Sequence, residues 1–107
     1  MKSTIEKYNL EYDRTKGLIL KDGSNKKYED LLYFLYQIQW LEEIEDHFIP
    51  EIEKVLNGEI ILDSICSGTV CATLEKDITK VEWQTRITEV PTLDFKRILM
   101  EYSKMRW

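Results

Sequence analysis

The sequence has few of the residues on which catalytic and metal sites depend. Among its 107 residues it has one histidine, His47, and two cysteines, Cys66 and Cys71. These fall short of the spaced ligand set of a zinc site, and the sequence has no phosphate loop, dinucleotide fingerprint or nucleophile motif. Asp46 cannot orient His47, because adjacent side chains on a helix point about 100° apart. We therefore expect no metal, no cofactor and no catalytic residue, so that the protein is not an enzyme.

Long apolar runs are also missing. No stretch approaches the roughly 20 residues that cross a bilayer, and the N-terminal residues lack the apolar stretch of a signal peptide. The sequence therefore predicts no membrane contact and a cytoplasmic location, where cysteines are reduced. With 43% hydrophobic and 33% charged residues and no internal repeat, residues 1–107 are expected to form one folded domain.

The two cysteines are predicted to be free. A two-residue loop at residues 67–68 would pair Cys66 with Thr69 and Cys71 with Ser64. The sulfurs would then be diagonal neighbours about 7 to 8 Å apart, which is a poor match to a disulfide. We expect both to behave as buried small apolar residues.

Charge is distributed unevenly along the chain. The whole protein has a net charge of −5, but the segment from Glu29 to Glu75 has eleven carboxylates and one basic residue, Lys54, and both flanks are weakly basic. The densest acidic stretch comprises Glu42, Glu43, Glu45, Asp46, Glu51, Glu53 and Glu59. Such a surface repels nucleic acid and acidic membranes and attracts positively charged proteins. The alternative is a solvated helix face that serves only solubility.

The periodicity of residues 28–48 predicts a long helix. This stretch has no proline or glycine, and apolar residues recur at steps of three and four, at Leu31, Leu35, Ile38, Leu41, Ile44 and Phe48. Pro50 disfavours helical geometry at the preceding residue, so the helix is expected to bend or restart there. A short second helix then ends at residues 57–58 and carries inward Ile52, Val55 and Leu56.

Alternating apolar and polar residues predict antiparallel strands around this helix. An N-terminal hairpin is expected from residues 8–12 and 17–20, before a turn at residues 22–25. A three-stranded meander is expected at residues 59–66, 69–75 and 79–88, with Asp63 opposite Ala72 and an apolar face of Ile61, Ile65, Val70, Ala72 and Leu74.

A C-terminal helix completes the predicted domain. It is expected to begin after Pro91, with Thr92 as its N-cap and a core stripe of Phe95, Ile98, Leu99 and Tyr102. The fold class is therefore α+β, a single domain in which the antiparallel strands pack against a long bent helix and the C-terminal helix.

Some aromatic residues lie outside the apolar stripe of the long helix. Trp40 is close to Glu43, and Tyr33 and Tyr36 also lie off the centre of the stripe. Such residues anchor many interfaces. The alternative is that further layers of the fold cover them.

The C-terminal half of the chain resembles a known class of proteins. The segments concerned are residues 67–71, 76–82 and 91–102, which read SGTVC, KDITKVE and PTLDFKRILMEY. A helix start with proline, threonine, any residue, an acid and phenylalanine, followed by isoleucine and leucine, is a recurring ending of small bacterial immunity proteins. The chain is similar in this respect to the immunity proteins of contact-dependent growth inhibition and other polymorphic toxin systems.

The resemblance implies a binding function. The partner would be a cognate toxin domain, a basic nuclease whose active surface the protein occludes, without direct contact to nucleic acid or membrane. The residues we expect to bind this partner are Trp40, Glu42, Glu43, Glu45, Asp46, Glu51, Glu53 and Asp63. An interface on the exposed sheet face with Asp63, Glu82 and Gln84 is the geometric alternative. An acidic adaptor or regulatory module with another cationic partner is the functional alternative.

Overall fold

The structure is a computed structural model that describes residues 3–20 and 27–107. Within these residues the chain forms helix α1 (Thr4–Lys7), strands β1 (Leu10–Asp13) and β2 (Gly17–Leu20), helix α2 (Glu29–Tyr36), a π-helical turn (Glu43–Phe48), helix α3 (Ile49–Leu56), strands β3 (Asp63–Ser67), β4 (Val70–Leu74), β5 (Ile78–Trp83) and β6 (Arg86–Pro91), and helix α4 (Thr92–Arg106). The fold is α+β, as predicted. No helix of the described segments has the length and apolar character needed to span a membrane.

The core lies between the four-stranded sheet and the helices. The strand order is β3-β4-β5-β6 with antiparallel neighbours, and α2 and α4 contact the same sheet. The ring of Phe34 in α2 lies 5.4 Å from that of Phe48 and 5.3 Å from that of Phe95, so three helical elements meet at one point. The stripe predicted for α4 is confirmed, because its four members are all buried: Phe95, Ile98, Leu99 and Tyr102.

The predicted N-terminal hairpin is confirmed, with different ends. Leu10 pairs with Leu20 and Asp13 with Gly17. Residues 8–9 do not extend the first strand, because Asn9 adopts a positive φ of 60° after the short helix α1, which the alternation of residues did not indicate. The predicted turn at residues 22–25 lies outside the described residues.

The prediction of one long helix over residues 28–48 is wrong. Helix α2 ends at Tyr36, and helical structure resumes at residues 41–42 before the π-helical turn. Three long-range or capping contacts hold the interruption. The carboxamide oxygen of Gln37 accepts the Thr69 N–H at 2.9 Å, and Arg106 donates to the carbonyl of Ile38. The carboxylate of Glu43 accepts the N–H groups of residues 39 and 40.

The restart predicted at Pro50 is confirmed, because the π-helical turn ends at Phe48 and α3 begins at Ile49, although Ile49 itself keeps helical geometry. Pro50 lies in the first turn of α3, where a missing N–H costs little. Ahead of it, the Ile49 N–H donates to the carbonyl of Ile44, five residues earlier, in the π-helical pattern. The wider turn therefore leads the chain into α3, whose end at Asn57 and Gly58 agrees with the prediction.

The meander has four strands instead of the predicted three. The strand expected at residues 79–88 turns back at residues 84–85, so that Trp83 pairs with Arg86. Gln84 takes the positive φ of 57° that this turn requires. Glycine, asparagine or aspartate is the usual residue there, and its absence concealed the turn.

The register predicted for the β3–β4 hairpin is wrong by two residues. Ser67 pairs with Val70 around a Gly68-Thr69 loop, and Asp63 lies opposite Leu74 instead of Ala72. A shift of two residues preserves the faces of a strand. The expected apolar face is therefore buried at Ile65, Val70, Ala72 and Leu74, whereas Ile61 is 90% exposed in the preceding loop.

The register also overturns the prediction of free, buried cysteines. Cys66 and Cys71 lie directly opposite each other and form a disulfide, with the sulfurs 2.08 Å apart. Cys66 is exposed and Cys71 is half-buried, because both point away from the core face of the sheet. Directly opposed positions bring two Cβ atoms much closer than diagonal positions do.

Thr92 is not the N-cap of α4. Pro91 occupies that position, and the Thr92 hydroxyl lies 2.8 Å from the Thr79 hydroxyl and donates to the carbonyl of Glu75. The threonine is fully buried. It therefore ties the start of the helix to the sheet instead of capping free N–H groups.

Candidate functional site

The predicted binding residues centre on the restart of the helix after residue 40. Trp40 is the first of them, and its side chain is 65% exposed. Its backbone is fixed, because the Glu43 carboxylate accepts the N–H of Trp40 at 3.0 Å and that of Gln39 at 2.8 Å. Glu43 thus occupies the position of the acid in a capping box. A large aromatic side chain is presented to solvent from a rigid backbone.

Three carboxylates follow Trp40 on the exposed side of the helix. We call Glu42, Glu45 and Asp46 the carboxylate face. All three are exposed, and none forms a hydrogen bond or ion pair with another residue that the structure describes. In the π-helical turn, Ile44 and Phe48 are buried four residues apart, so the residues between them all face solvent. The fold therefore concentrates negative charge without neutralising it.

The other predicted carboxylates have partners or lie elsewhere. Glu51 forms an ion pair with Lys54 at 3.1 Å, and Glu53 forms a longer one with Lys96 at 3.9 Å. Asp63 begins β3, which runs from the end of α3 towards Gln37, so Asp63 lies at the far end from Trp40. One of its oxygens accepts the Ser64 N–H at 2.8 Å. Asp63 forms no hydrogen bond or ion pair with the carboxylate face among the described residues.

The alternative interface on the sheet is differently composed. Glu82 is exposed and lies beside Cys71 on the outer face of the sheet. Gln84 is exposed as well, but it belongs to the β5–β6 turn. The outer face is therefore a mixed surface with one carboxylate next to the disulfide.

The residues considered for chemistry are not assembled into a reactive group. His47 is exposed, and its closest ring contact is Phe48, at 5.3 Å between centroids. The two cysteines are bonded to each other. Among the described residues no group of three histidine, cysteine, aspartate or glutamate side chains could hold a metal ion.

An electrostatic network around Asp94 lies away from these residues, and the sequence pattern did not reveal it. Asp94 accepts hydrogen bonds from Lys7 Nζ at 2.8 Å and from the Tyr8 hydroxyl at 2.7 Å. Burial raises the pKa of Asp94, but these two hydrogen bonds outweigh burial and hold the pKa below its usual value. Burial and the neighbouring carboxylate raise the pKa of Tyr8. Because 86 residues separate Tyr8 from Asp94, no local pattern predicts this contact.

Comparisons with known proteins do not assign the chain. No family model matches it, and neither the curated proteins nor the solved structures contain a significant match.

Proposed function

We propose that this protein binds a cationic partner, the cognate toxin domain of a polymorphic toxin system, and neutralises it by covering its active surface. The observation that carries the proposal is the carboxylate face next to exposed Trp40. Carboxylates that are held close together on a helix repel one another and lower the stability of the folded protein. Three unpaired carboxylates on one helix are therefore better explained by an external cation than by the needs of the fold.

The two parts of this surface have different tasks. The carboxylates attract a basic protein over a distance and speed its association. A nuclease offers such a partner surface, because it must hold phosphate groups, and carboxylates can take their place beside arginine and lysine. Trp40 is suited to slow dissociation, since tryptophan is among the residues that dominate interface energies.

The remaining predicted residues have secondary roles in the proposal. Glu43 positions the backbone of Trp40, and Glu51 and Glu53 contribute after releasing Lys54 and Lys96. Asp63 belongs to the alternative surface. Because nothing in this arrangement requires a titrating nucleophile, the proposed activity is binding without catalysis.

We place this activity in the cytoplasm, where a nuclease toxin meets its substrate. Disulfides such as Cys66–Cys71 are, however, more common in proteins of oxidising compartments than in cytoplasmic proteins. Cell fractionation, with alkylation of free thiols before lysis, tests the location directly. Recovery of the protein only outside the cytoplasm would contradict it.

The test of the carboxylate face uses the protein encoded by the gene immediately upstream as the candidate toxin. The variant Glu42→Gln, Glu45→Gln, Asp46→Asn should associate about tenfold more slowly at low salt, with a weaker salt dependence. The matched control Glu59→Gln, Glu82→Gln, Glu89→Gln removes three exposed carboxylates elsewhere, including two from the outer sheet face. Stopped-flow fluorescence gives the rates, and thermal unfolding confirms that each variant is folded.

The outcomes separate the alternatives. Equal slowing by both triple variants would show that net charge alone matters, and slowing only by the control would transfer the interface to the sheet. An acidic adaptor would bind the upstream product without inhibiting its nuclease activity. We expect inhibition in parallel with binding, and we expect Trp40→Ala to raise the dissociation rate.

A further inference from the structure

A second surface carries charge opposite to that of the carboxylate face. It is a cleft of about 360 Å³ between the β1–β2 hairpin, the end of α2 and the end of α4. Its polar side chains include Tyr12, Lys16, Tyr36, Tyr102 and Arg106. We call it the tyrosine cleft. None of the described residues that line it is an aspartate or glutamate. Although the whole chain has a net charge of −5, the cationic side chains of the cleft can attract a negatively charged group.

Arg106 is held in place without being saturated. Its Nη1 donates to the carbonyl of Ile38 and, at 3.0 Å, to the hydroxyl of Tyr102. The guanidinium also lies 4.4 Å from the ring centroid of Trp107. A guanidinium has five N–H donors, and these bonds use only those of Nη1. The donors on Nε and Nη2 are therefore available in a fixed orientation, as anion recognition requires.

The β1–β2 turn positions the second cation, Lys16. One oxygen of Asp13 accepts the N–H of Thr15 at 2.7 Å and that of Lys16 at 2.9 Å, and these bonds keep the pKa of Asp13 below its usual value. The turn is thereby fixed at the lip of the cleft. The Lys16 ammonium forms no hydrogen bond with a side chain in the described part of the chain, and the nearby Asp13 carboxylate acts on it only through its charge.

Aromatic rings form the rest of the cleft. Tyr36 is 60% exposed, although tyrosine rings usually find cover, and the Tyr12 ring is half-buried 6.5 Å from that of Tyr102. Flat exposed rings beside cations bind groups that combine an aromatic ring with a phosphate, because the ring stacks while the phosphate accepts hydrogen bonds. The volume is within the range of roughly 300 to 1,000 Å³ found for small-ligand pockets.

We propose that the tyrosine cleft binds a small aromatic phosphate of the nucleoside monophosphate class. The phosphate accepts hydrogen bonds from Arg106 and Lys16, and the base stacks on Tyr36. A long nucleic acid strand is a poorer ligand, because the net negative charge of the protein repels a polyanion. This site does not depend on the function proposed for the carboxylate face.

The test is an NMR titration with adenosine monophosphate, adenosine and inorganic phosphate. The backbone amides of Lys16 and Gly17 and the Nε–H of Arg106 should shift with the nucleotide, and each fragment alone should bind at least about tenfold more weakly. Lys16→Gln and Tyr36→Leu should each weaken nucleotide binding about tenfold. The matched control is Lys104→Gln, an exposed lysine of α4 outside the cleft, which should leave binding unchanged.

Three results would overturn the proposal. The first is the absence of shifts at these groups with nucleotide up to about 10 mM, the weak end of measurable affinity. The second is equal affinity for phosphate and nucleotide, which would show that stacking of the base contributes nothing to binding. The third is tighter binding of a thymidine decanucleotide than of the mononucleotide. None of these results affects the carboxylate face.

Discussion

At the scale of single residues, the β3–β4 turn depends on glycine at position 68. The φ of Gly68 is +58°, a conformation that side-chain-bearing residues rarely adopt. A Cβ there would lie 1.9 Å from the carboxamide oxygen of Gln37. That oxygen accepts the Thr69 N–H at 2.9 Å, so it cannot move aside without losing the bond that joins the end of α2 to the sheet.

Replacing Gly68 tests how much the Gln37 contact contributes to the stability of the fold. Gly68→Ala should lower the free energy of unfolding by about 2 kcal/mol, about half from backbone strain and half from the hydrogen bond. Gly58→Ala is the matched control, because Gly58 has a φ of +79° and no described atom within 4 Å of the place a Cβ would take. Gly58→Ala should lower the free energy of unfolding only through backbone strain, by about 1 kcal/mol. Urea unfolding gives both values, and equal losses would show that the Gln37 contact contributes nothing.

At the scale of elements, the restart of the helix sets the position of the proposed binding surface. Glu43 accepts two N–H groups at the beginning of the helical segment, where the helix dipole also favours a negative charge. Glu42 is adjacent in sequence but is exposed and has no partner among the described residues. Neighbouring glutamates therefore have different tasks, one in the fold and one in the proposed interface.

This division is testable with a pair of alanine variants. Glu43→Ala should lower the free energy of unfolding by about 1 kcal/mol, the usual cost of losing a helix cap. Glu42→Ala should change stability by less than about 0.5 kcal/mol, as expected for an exposed site. Chemical denaturation gives both numbers. A loss of the same size for both variants would contradict the capping role of Glu43.

At the scale of the whole molecule, two carboxylates of α4 hold the N-terminal segment. Glu101 accepts the N–H groups of Thr4 and Ile5, each at 3.1 Å. Asp94 accepts hydrogen bonds from Lys7 and Tyr8, and its carboxylate is largely buried. The described N-terminal residues are thus joined to the final helix by charged groups as well as by apolar contacts.

Asp94 makes this attachment sensitive to acid. Its folded-state pKa is below the unfolded value, near 3.9, so its contribution to stability is fully present above about pH 4 and is lost as the pH falls through the folded pKa. Asp94→Asn should therefore be less stable than the parent at pH 7, and the difference should shrink in acid. Thermal unfolding between about pH 2 and 7 measures it. The control Glu89→Gln, at an exposed carboxylate, should keep the parental profile. A constant offset for Asp94→Asn across the range would refute the assignment.

The sequence predicted part of the candidate site and missed the rest. Positions off the apolar stripe identified the carboxylate face as exposed, because helical period separates inner from outer residues. Trp40 is exposed for another reason, because it lies in the break before the helix restarts. The same period did not distinguish Glu43 from Glu42, since the difference is a hydrogen bond to backbone at the break. The tyrosine cleft joins residues from positions 12 to 106, and no local pattern relates them.

Local patterning was sufficient for the α+β class, the N-terminal hairpin, the helix after Pro91 and most of the core, because burial of one face imposes a period on each element. Only the tertiary structure decided the ends and registers. The helix break at residues 37–40 is held by Thr69 and Arg106, which are distant in sequence. The opposition of Cys66 and Cys71 depends on a loop placed at Gly68 by contact with Gln37. These outcomes depend on interactions between elements, and the local sequence of one element does not specify which residues of other elements contact it.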